Sequence, residues 1–300
     1  MGKLVLTKRP ALRAPYLLAG FGGWPNGGEV STETVQFVQS ALEANPIGEI
    51  TADDLYIYSS PTLASRPIVS ISHGVLQSLS FPVNTIYAWQ SPHEGDHDLL
   101  FLQGVEPDLH WEQFAAAIVE CLEVFQVQRL YTIGGYLDHA PHTRVPRISA
   151  VVTQPDLRTE LLAYEIELTD YEGPTSIQSY LLARCQERGI EGISLWGSTP
   201  SYIQGGYPRV IQAMLQLLQQ MWHLPLNLSP IEAQAAELEA TLHEQIDSNP
   251  ELADYIKRLE HAYDLAEHEE ADAEDTDGIV DEIQQFLRQR RPDRPDHDAS

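Results

Sequence analysis

Three stretches of this chain group side chains that could do chemistry. The first, "SPHEGDH" (Ser91 to His97), sets His93, Glu94 and His97 in H-E-x-x-H order. On a helix that spacing aims two imidazoles at one zinc ion and supplies a general base. Here Pro92 precedes the motif, Gly95 interrupts it and a strand-like run follows at once. The stretch therefore reads as the tip of a hairpin between "TIYAWQ" (Thr85–Gln90) and "DLLFLQGV" (Asp98–Val105). Only adventitious zinc or nickel at His93 and His97 remains as metal chemistry. No resident metal or other cofactor is expected.

The second, "FGGWPNGGEV" (Phe21–Val30), stands between a strand and a helix, where phosphate loops occur. A Walker loop counted from Gly23 puts Glu29 where a lysine belongs and Val30 where a hydroxyl belongs. A carboxylate there repels phosphate, and Pro25 breaks the dinucleotide pattern after Gly20 and Gly22. The glycines read first as a tight turn with close backbone approach. Gly22 and Gly23 remain candidates for contact with some other ligand.

The third, "GGYLDHAPHTRVPR" (Gly134–Arg147), is the richest polar loop, and in α/β folds such loops beyond strand carboxyl ends bind ligands. His142, Arg144 and Arg147 are candidates for a ligand or an interface. The bland alternative pairs both arginines with carboxylates. Glu106, at the end of "LQGVE", either accepts hydrogen bonds from its own turn or joins that loop, with Asp108 as the N-cap of the next helix. Tyr202, in "STPSYIQGGYP", adds an amphipathic contact residue at the same edge. No G-x-S-x-G elbow is present, and no catalytic residue is assigned.

These loops are positioned by alternating elements. Strand-like runs are "YLLAGF", "DLYIYS" (Asp54–Ser59), the two hairpin runs, "RLYTIGG" ending in a glycine stop, "RISAVVT" and "GISLWG". Helical periodicity spans Leu109–Gln126, a segment starting at Pro174 and one starting at Pro208. The alternation predicts an α/β layered core over 1–226 with an at least partly parallel sheet. Stripes in Pro230–Asp247 and Pro250–Leu265, with Asn249 as cap, predict a helical hairpin within 227–266. The stretch 267–300 is acidic and poor in apolar residues, which predicts disorder, with one amphipathic segment at Ile279–Arg290.

The net charge is −26, from 18 Lys+Arg against 44 Asp+Glu. That field disfavours nucleic acid and anionic membrane surfaces as partners. No run approaches the roughly 20 apolar residues of a membrane helix. The two cysteines, Cys121 and Cys185, read as buried hydrophobes in helices. With no leader pattern, a reducing cytoplasm is the compartment expected.

Taken in order, "AGFGGWPNGG", "LQGVEPDLHWEQF", "GGYLDHAPHTRVPR", "YEGPTSIQSYLLARCQERGIEGISLWGSTPSYI" and "HEQIDSNPELADYIKRLE" resemble the prokaryotic, actinobacterial-type branch of the proteasome assembly chaperone 2 family, over about residues 12–265. The resemblance implies a nucleoside phosphorylase/nucleosidase-like α/β layered core with a mixed twisted sheet, plus the C-terminal helical hairpin, and a homo-oligomer. The eukaryotic relative assembles proteasome α-rings and is not an enzyme. The family's P-H-T stretch falls on Pro141, His142 and Thr143, and its G-x-E-P stretch on Gly104, Glu106 and Pro107. A second P-H-Y stretch reads "PSY", with Ser201 in place of the histidine, and Ser176 replaces a glycine in "GPTS". Loss of that histidine weakens acid–base work by a histidine pair. The chain is thus expected to be a non-catalytic, assembly-chaperone-like interaction protein with protein partners. The alternative is a nucleoside-type hydrolase or phosphorylase using Glu106, His142, Arg144 and Arg147.

Overall fold

A computed structural model describes residues 2–266, apart from 53, 60–63, 165 and 169. The apolar runs become strands of a nine-stranded mixed sheet: β1 (Leu4–Leu6), β2 (Tyr16–Gly22), β3 (Asn45–Ile50), β6 (Asn84–Trp89), β7 (Leu99–Val105), β8 (Arg129–Asp138), β9 (Ile148–Val152), β10 (Glu167–Leu168) and β11 (Glu191–Pro200). Their order is β1-β3-β6-β7-β2-β8-β11-β9-β10. The central four, β7, β2, β8 and β11, are mutually parallel, while β6 and β9 join them antiparallel. A separate two-stranded ribbon, β4 (Ile68–Ser72) with β5 (Val75–Ser80), leaves the chain between β3 and β6.

The helices are α1 (Val30–Ala41), α2 (Trp111–Val124), α3 (Pro155–Leu162), α4 (Ile177–Gln186), α5 (Pro208–Trp222) and α6 (Ser229–Ser248), followed by α7 over 250–266. Parallel strands buried on both faces explain why β2 and β8 read as continuous apolar runs rather than alternating ones. On one face Leu18, Ile133 and Leu195 pack with α1 and α5; on the other Leu17, Phe21 and Leu100 pack with α2 and α4. The stripe of α5 is buried as its spacing predicts, at Val210, Ile211, Met214, Leu215 and Leu218. The C-terminal hairpin folds back onto that side: Leu238 and Leu242 pack against its core, and Ile256 of α7 is buried. Asn249 caps α7 as expected, its Oδ1 accepting the N–H groups of Glu251 and Leu252 at 3.1 and 3.2 Å. The expectations for 267–300 lie outside the described residues.

Several local expectations are corrected. "DLYIYS" is not a strand: Leu55 and Tyr56 bury individually, and the Tyr56 hydroxyl bonds Asn84 Oδ1 and the Val105 carbonyl instead of a ladder forming. Gly134 and Gly135 do not stop β8, which runs on to Asp138 in register with β11. A side chain at Gly134 would collide with the Trp196 ring, so the glycine admits a neighbour rather than ending the strand. Asp108 does not cap α2; the N-cap position is held by His110, at φ +58° and with no side-chain capping bond, and Asp108 instead accepts the Ile57 N–H at 2.8 Å. Helix α4 begins at Ile177, three residues after Pro174. Strand β3 was hidden in "NPIGEI", whose breakers lie at a register shift between Pro46 and Gly48.

Candidate interaction rim at the strand carboxyl ends

Because β7, β2, β8 and β11 run parallel side by side, their carboxyl ends at Val105, Gly22, Asp138 and Pro200 form one rim. The glycine loop after β2 lies folded down on it. Asn26 bridges to Gly135, the Gly135 N–H donates to the Pro25 carbonyl at 2.9 Å, and the Tyr207 N–H donates to the Gly28 carbonyl at 2.9 Å. Gly28 sits at φ +61° with its α-carbon against the Thr199 side chain, where any Cβ would collide. Asn26 also closes the start of α1, its Oδ1 accepting the Thr32 N–H at 3.0 Å. This is the close backbone approach the glycines predict, and it leaves the loop packed on protein rather than shaped as a cradle for phosphate.

Glu106 lies beside Gly23, and its Oε1 accepts the Ile177 N–H at 2.8 Å, with a second backbone bond from Trp24. The carboxylate thereby supplies an acceptor at the first turn of α4, where backbone N–H groups lack helical partners. That contact satisfies the N–H of the first residue of α4. Burial holds the Glu106 carboxyl above the usual carboxylate range, with the two backbone bonds pulling it down and Asp108 pushing it up.

Four other candidates engage the C-terminal hairpin. The Tyr202 hydroxyl accepts the His142 N–H and bonds His142 Nδ1, both at 2.7 Å, and its ring packs edge-on against Tyr255 of α7. Arg144 donates to both carboxylate oxygens of Asp264 at 2.8 Å, while Thr143 donates to Glu260 at 2.5 Å. The Arg147 guanidinium stacks 4.6 Å over the Tyr263 ring and pairs with Glu167. Arg209, which the sequence reading passed over, joins the His142 carbonyl to Glu239 of α6. Burial, with Arg209 nearby, lowers the His142 pKa, against the opposing pull of Glu260 and Glu239. Burial raises Tyr202 to about 12.

The rim therefore brings the candidates to one end of the sheet but not into one reacting set. Glu106 serves the start of α4, on the face built with α2, whereas His142, Arg144, Arg147 and Tyr202 serve the hairpin on the α5 side. Beside exposed polar residues such as Glu29 and His139, the rim presents large apolar groups outward. Trp24 is 60% exposed, Leu137 60% and Val145 78%. Trp24 stands in the loop stitched to β8, and Leu137 lies near the end of that strand. An aromatic residue in "GGWPNGG" was the available signal, and the motif comparison with phosphate loops hid it.

The H-E-x-x-H stretch lies at the opposite end of the sheet. It forms the turn between β6 and β7, with Gly95 at φ +100° and no helix. His97 stacks on Tyr16 at 3.8 Å and bonds the Ala14 carbonyl. This turn edges a cleft of about 230 Å³ lined also by Trp89, Tyr131 and Trp222. Below it Arg129 is held by Glu160 and Glu191 at 2.7 Å each.

Residues 20–246 match the sequence profile of the PAC2 family. The fold is similar to a Mycobacterium tuberculosis protein of unknown function, Rv2714, with 26% identity, 88% of this chain and 91% of that one covered, and a TM-score of 0.77. A PAC2 family protein from Streptomyces avermitilis aligns at 26% identity over 80% of this chain and 99% of its own, TM-score 0.70. The same identity, coverage and TM-score hold for a Mycobacterium tuberculosis proteasome-assembly chaperone homologue, Rv2125. No curated protein matches the chain.

Proposed function

We propose that this chain, which belongs to the PAC2 family, acts as a non-catalytic assembly chaperone: a homo-oligomer of the cytoplasm that holds protein subunits, those of a proteasome being the class its relatives suggest. One observation carries the reading. Glu106, Arg144 and Tyr202 are engaged within the chain, while Trp24, Leu137 and Val145 stand outward as apolar groups. Catalysis needs polar groups available to a reacting atom. Protein contact needs exposed apolar anchors with a polar surround, and tryptophan is enriched among such anchors. The acidic surface adds long-range attraction for basic patches on a subunit.

The experiment mixes the purified full chain with the proteasome α and β subunits of its own source. Ring formation is followed by native gel and electron microscopy. The expected outcome is co-migration with an α-subunit intermediate and faster ring formation. Trp24→Ala is expected to weaken that association about tenfold or more while leaving the melting temperature unchanged. Unchanged assembly kinetics together with no co-migration would overturn the proposal.

A further inference from the structure

The cleft at the amino ends of the parallel strands, remote from the rim, is built from groups that the chaperone reading leaves unused. Its volume is about 230 Å³. Pockets for drug-sized ligands begin at roughly 300 Å³, so this one takes a smaller molecule. Aromatic rings make its walls: Tyr16, Trp89, Tyr131 and Trp222, with His97 stacked on Tyr16 at 3.8 Å. Tyr131 and Trp222 meet edge to face at 4.8 Å, which holds both rings in place. Trp89 and Trp222 are partly exposed although both are large and apolar.

Three separate features make the cleft favour positive charge. Aromatic faces attract cations through the ring quadrupole. Two carboxylates, Asp96 and Glu160, stand in the lining. Asp96 accepts through Oδ2 from the Ser91 hydroxyl at 3.0 Å, and Glu160 accepts through Oε1 from Arg129 at 2.7 Å. Each keeps a second oxygen with no partner among the described residues. Finally, α5 ends at the cleft: Met221, Trp222 and the C-cap residue His223 line it, and the last turn holds no basic residue. A helix C-terminus carries partial negative charge and carbonyls that lack helical partners.

Arg129 does not supply the missing cation. Its guanidinium lies 5.6 and 5.8 Å from the Tyr16 and Tyr131 ring centroids but is shared between Glu160 and Glu191. One guanidinium against two carboxylates leaves that group with one negative charge in excess, before Asp96 is counted. An anion would meet this charge and the negative end of a helix. A neutral apolar ligand would take carboxylate oxygens out of water without replacing the lost bonds. A cation on a short stem satisfies both halves of the lining, with its charge on the rings and carboxylates and its stem on Leu99 and Leu224. We propose that this cleft binds a small organic cation, a primary ammonium or a guanidinium carried on a short aliphatic stem. The site is independent of the protein contacts assigned to the rim.

The full chain is titrated with n-butylammonium and n-butylguanidinium, and with n-butanol and butyrate as neutral and anionic counterparts. Calorimetry and tryptophan fluorescence follow binding. The expected result is one-to-one saturation by at least one cation with Kd near or below about 1 mM, at least about tenfold tighter than n-butanol or butyrate. Trp222→Leu is expected to weaken the cation about tenfold, and Asp96→Asn and Glu160→Gln about fivefold each. Trp24→Ala, at the rim, is expected to leave binding unchanged. Circular dichroism checks each variant. Because Glu160 also holds Arg129, Asp96→Asn on the β6–β7 turn keeps the test decisive if Glu160→Gln fails to fold. Absence of saturation by either cation at about 10 mM would overturn the proposal. So would n-butanol binding as tightly, or cation affinity unchanged in folded Asp96→Asn and Trp222→Leu. A capped tripeptide with lysine at its centre that binds at least about tenfold tighter than n-butylammonium would overturn the small-molecule assignment in favour of a partner's side chain.

Discussion

In the loop after β8, the candidate side chains meet groups of their own chain: Arg144 meets Asp264, Arg147 meets Tyr263, and His142 meets Tyr202. In the β4–β5 ribbon, Val69, Ile71, Leu76 and Leu79 pair only across the two strands and stay 49%, 64%, 63% and 55% exposed among the described residues. Both segments leave the same sheet, yet the one that looks chemical is structurally satisfied and the one that looks plain is not. Polar residues in a loop advertise function by type alone, but an arginine already holding two carboxylate oxygens has its donors engaged. The informative signal is the group whose physical requirement is unmet, which on a water-facing surface is the apolar one.

The sharpest way to break this contrast is to place a methyl group in each region. At Gly135, in the rim, a Cβ would collide with the Gly27 carbonyl. Gly135→Ala is expected to cost about 3 kcal/mol, read as a lower denaturation midpoint. At Gly74, in the ribbon, nothing lies within 4 Å of the added carbon, though φ is +78°. Gly74→Ala is expected to cost about 1 kcal/mol, from backbone strain alone. Equal losses would show that the two regions are packed alike.

A smaller effect is expected from Arg144→Ala. Arg144, Glu260 and Asp264 have side chains 34%, 27% and 43% exposed, so solvent screens the cluster and the loss is about 1 kcal/mol. Its diagnostic is local: amide exchange in 250–266 speeds up while that of β2 and β8 does not. Uniform exchange rates in the variant would deny that the loop holds α7.

Glu106 adds a test by pH. Burial, opposed by its bonds from Ile177 and Trp24, holds its carboxyl above the usual range, so the folded state binds the proton more tightly than the unfolded state. Its contribution to stability is present below the unfolded pKa and is lost as pH rises through the folded pKa. Glu106→Gln should therefore improve relative to wild type as pH rises from the ordinary carboxylate range toward neutrality. A melting difference that is flat over that range would remove burial as the controlling cause.

The smallest effect belongs to the ribbon. Ile71→Ser is expected to shift stability by no more than about 0.5 kcal/mol, because the side chain is 64% exposed. A loss of several kcal/mol would mean that the ribbon is packed in the monomer.

Where one short segment settles an outcome, the sequence was legible. The turn at His93–His97 followed from Pro92 and Gly95, helix α5 from Pro208 and its stripe, and the cap of α7 from Asn249 and Pro250. The resemblance of the ordered motifs carried the family, since 20–246 fall within its profile. Less legible were segments whose outcome depends on distant partners. Tyr56 has strand composition but answers to Asn84, 28 residues away, and Glu106 reaches the start of α4, 71 residues away. The ribbon was legible in principle, from two strand-like runs around His73–Gly74, but nothing in it resembles a chemical motif.

Composition and periodicity by themselves determined the α/β alternation, the apolar helix faces and the acidic character, because each depends on local spacing or on a simple sum over residues. Only the tertiary structure decided the strand order β7-β2-β8-β11, which carboxylate each arginine meets, and which apolar face stays in water. Those outcomes are set by which distant segments come together, and the spacing of residues along the chain does not encode that choice.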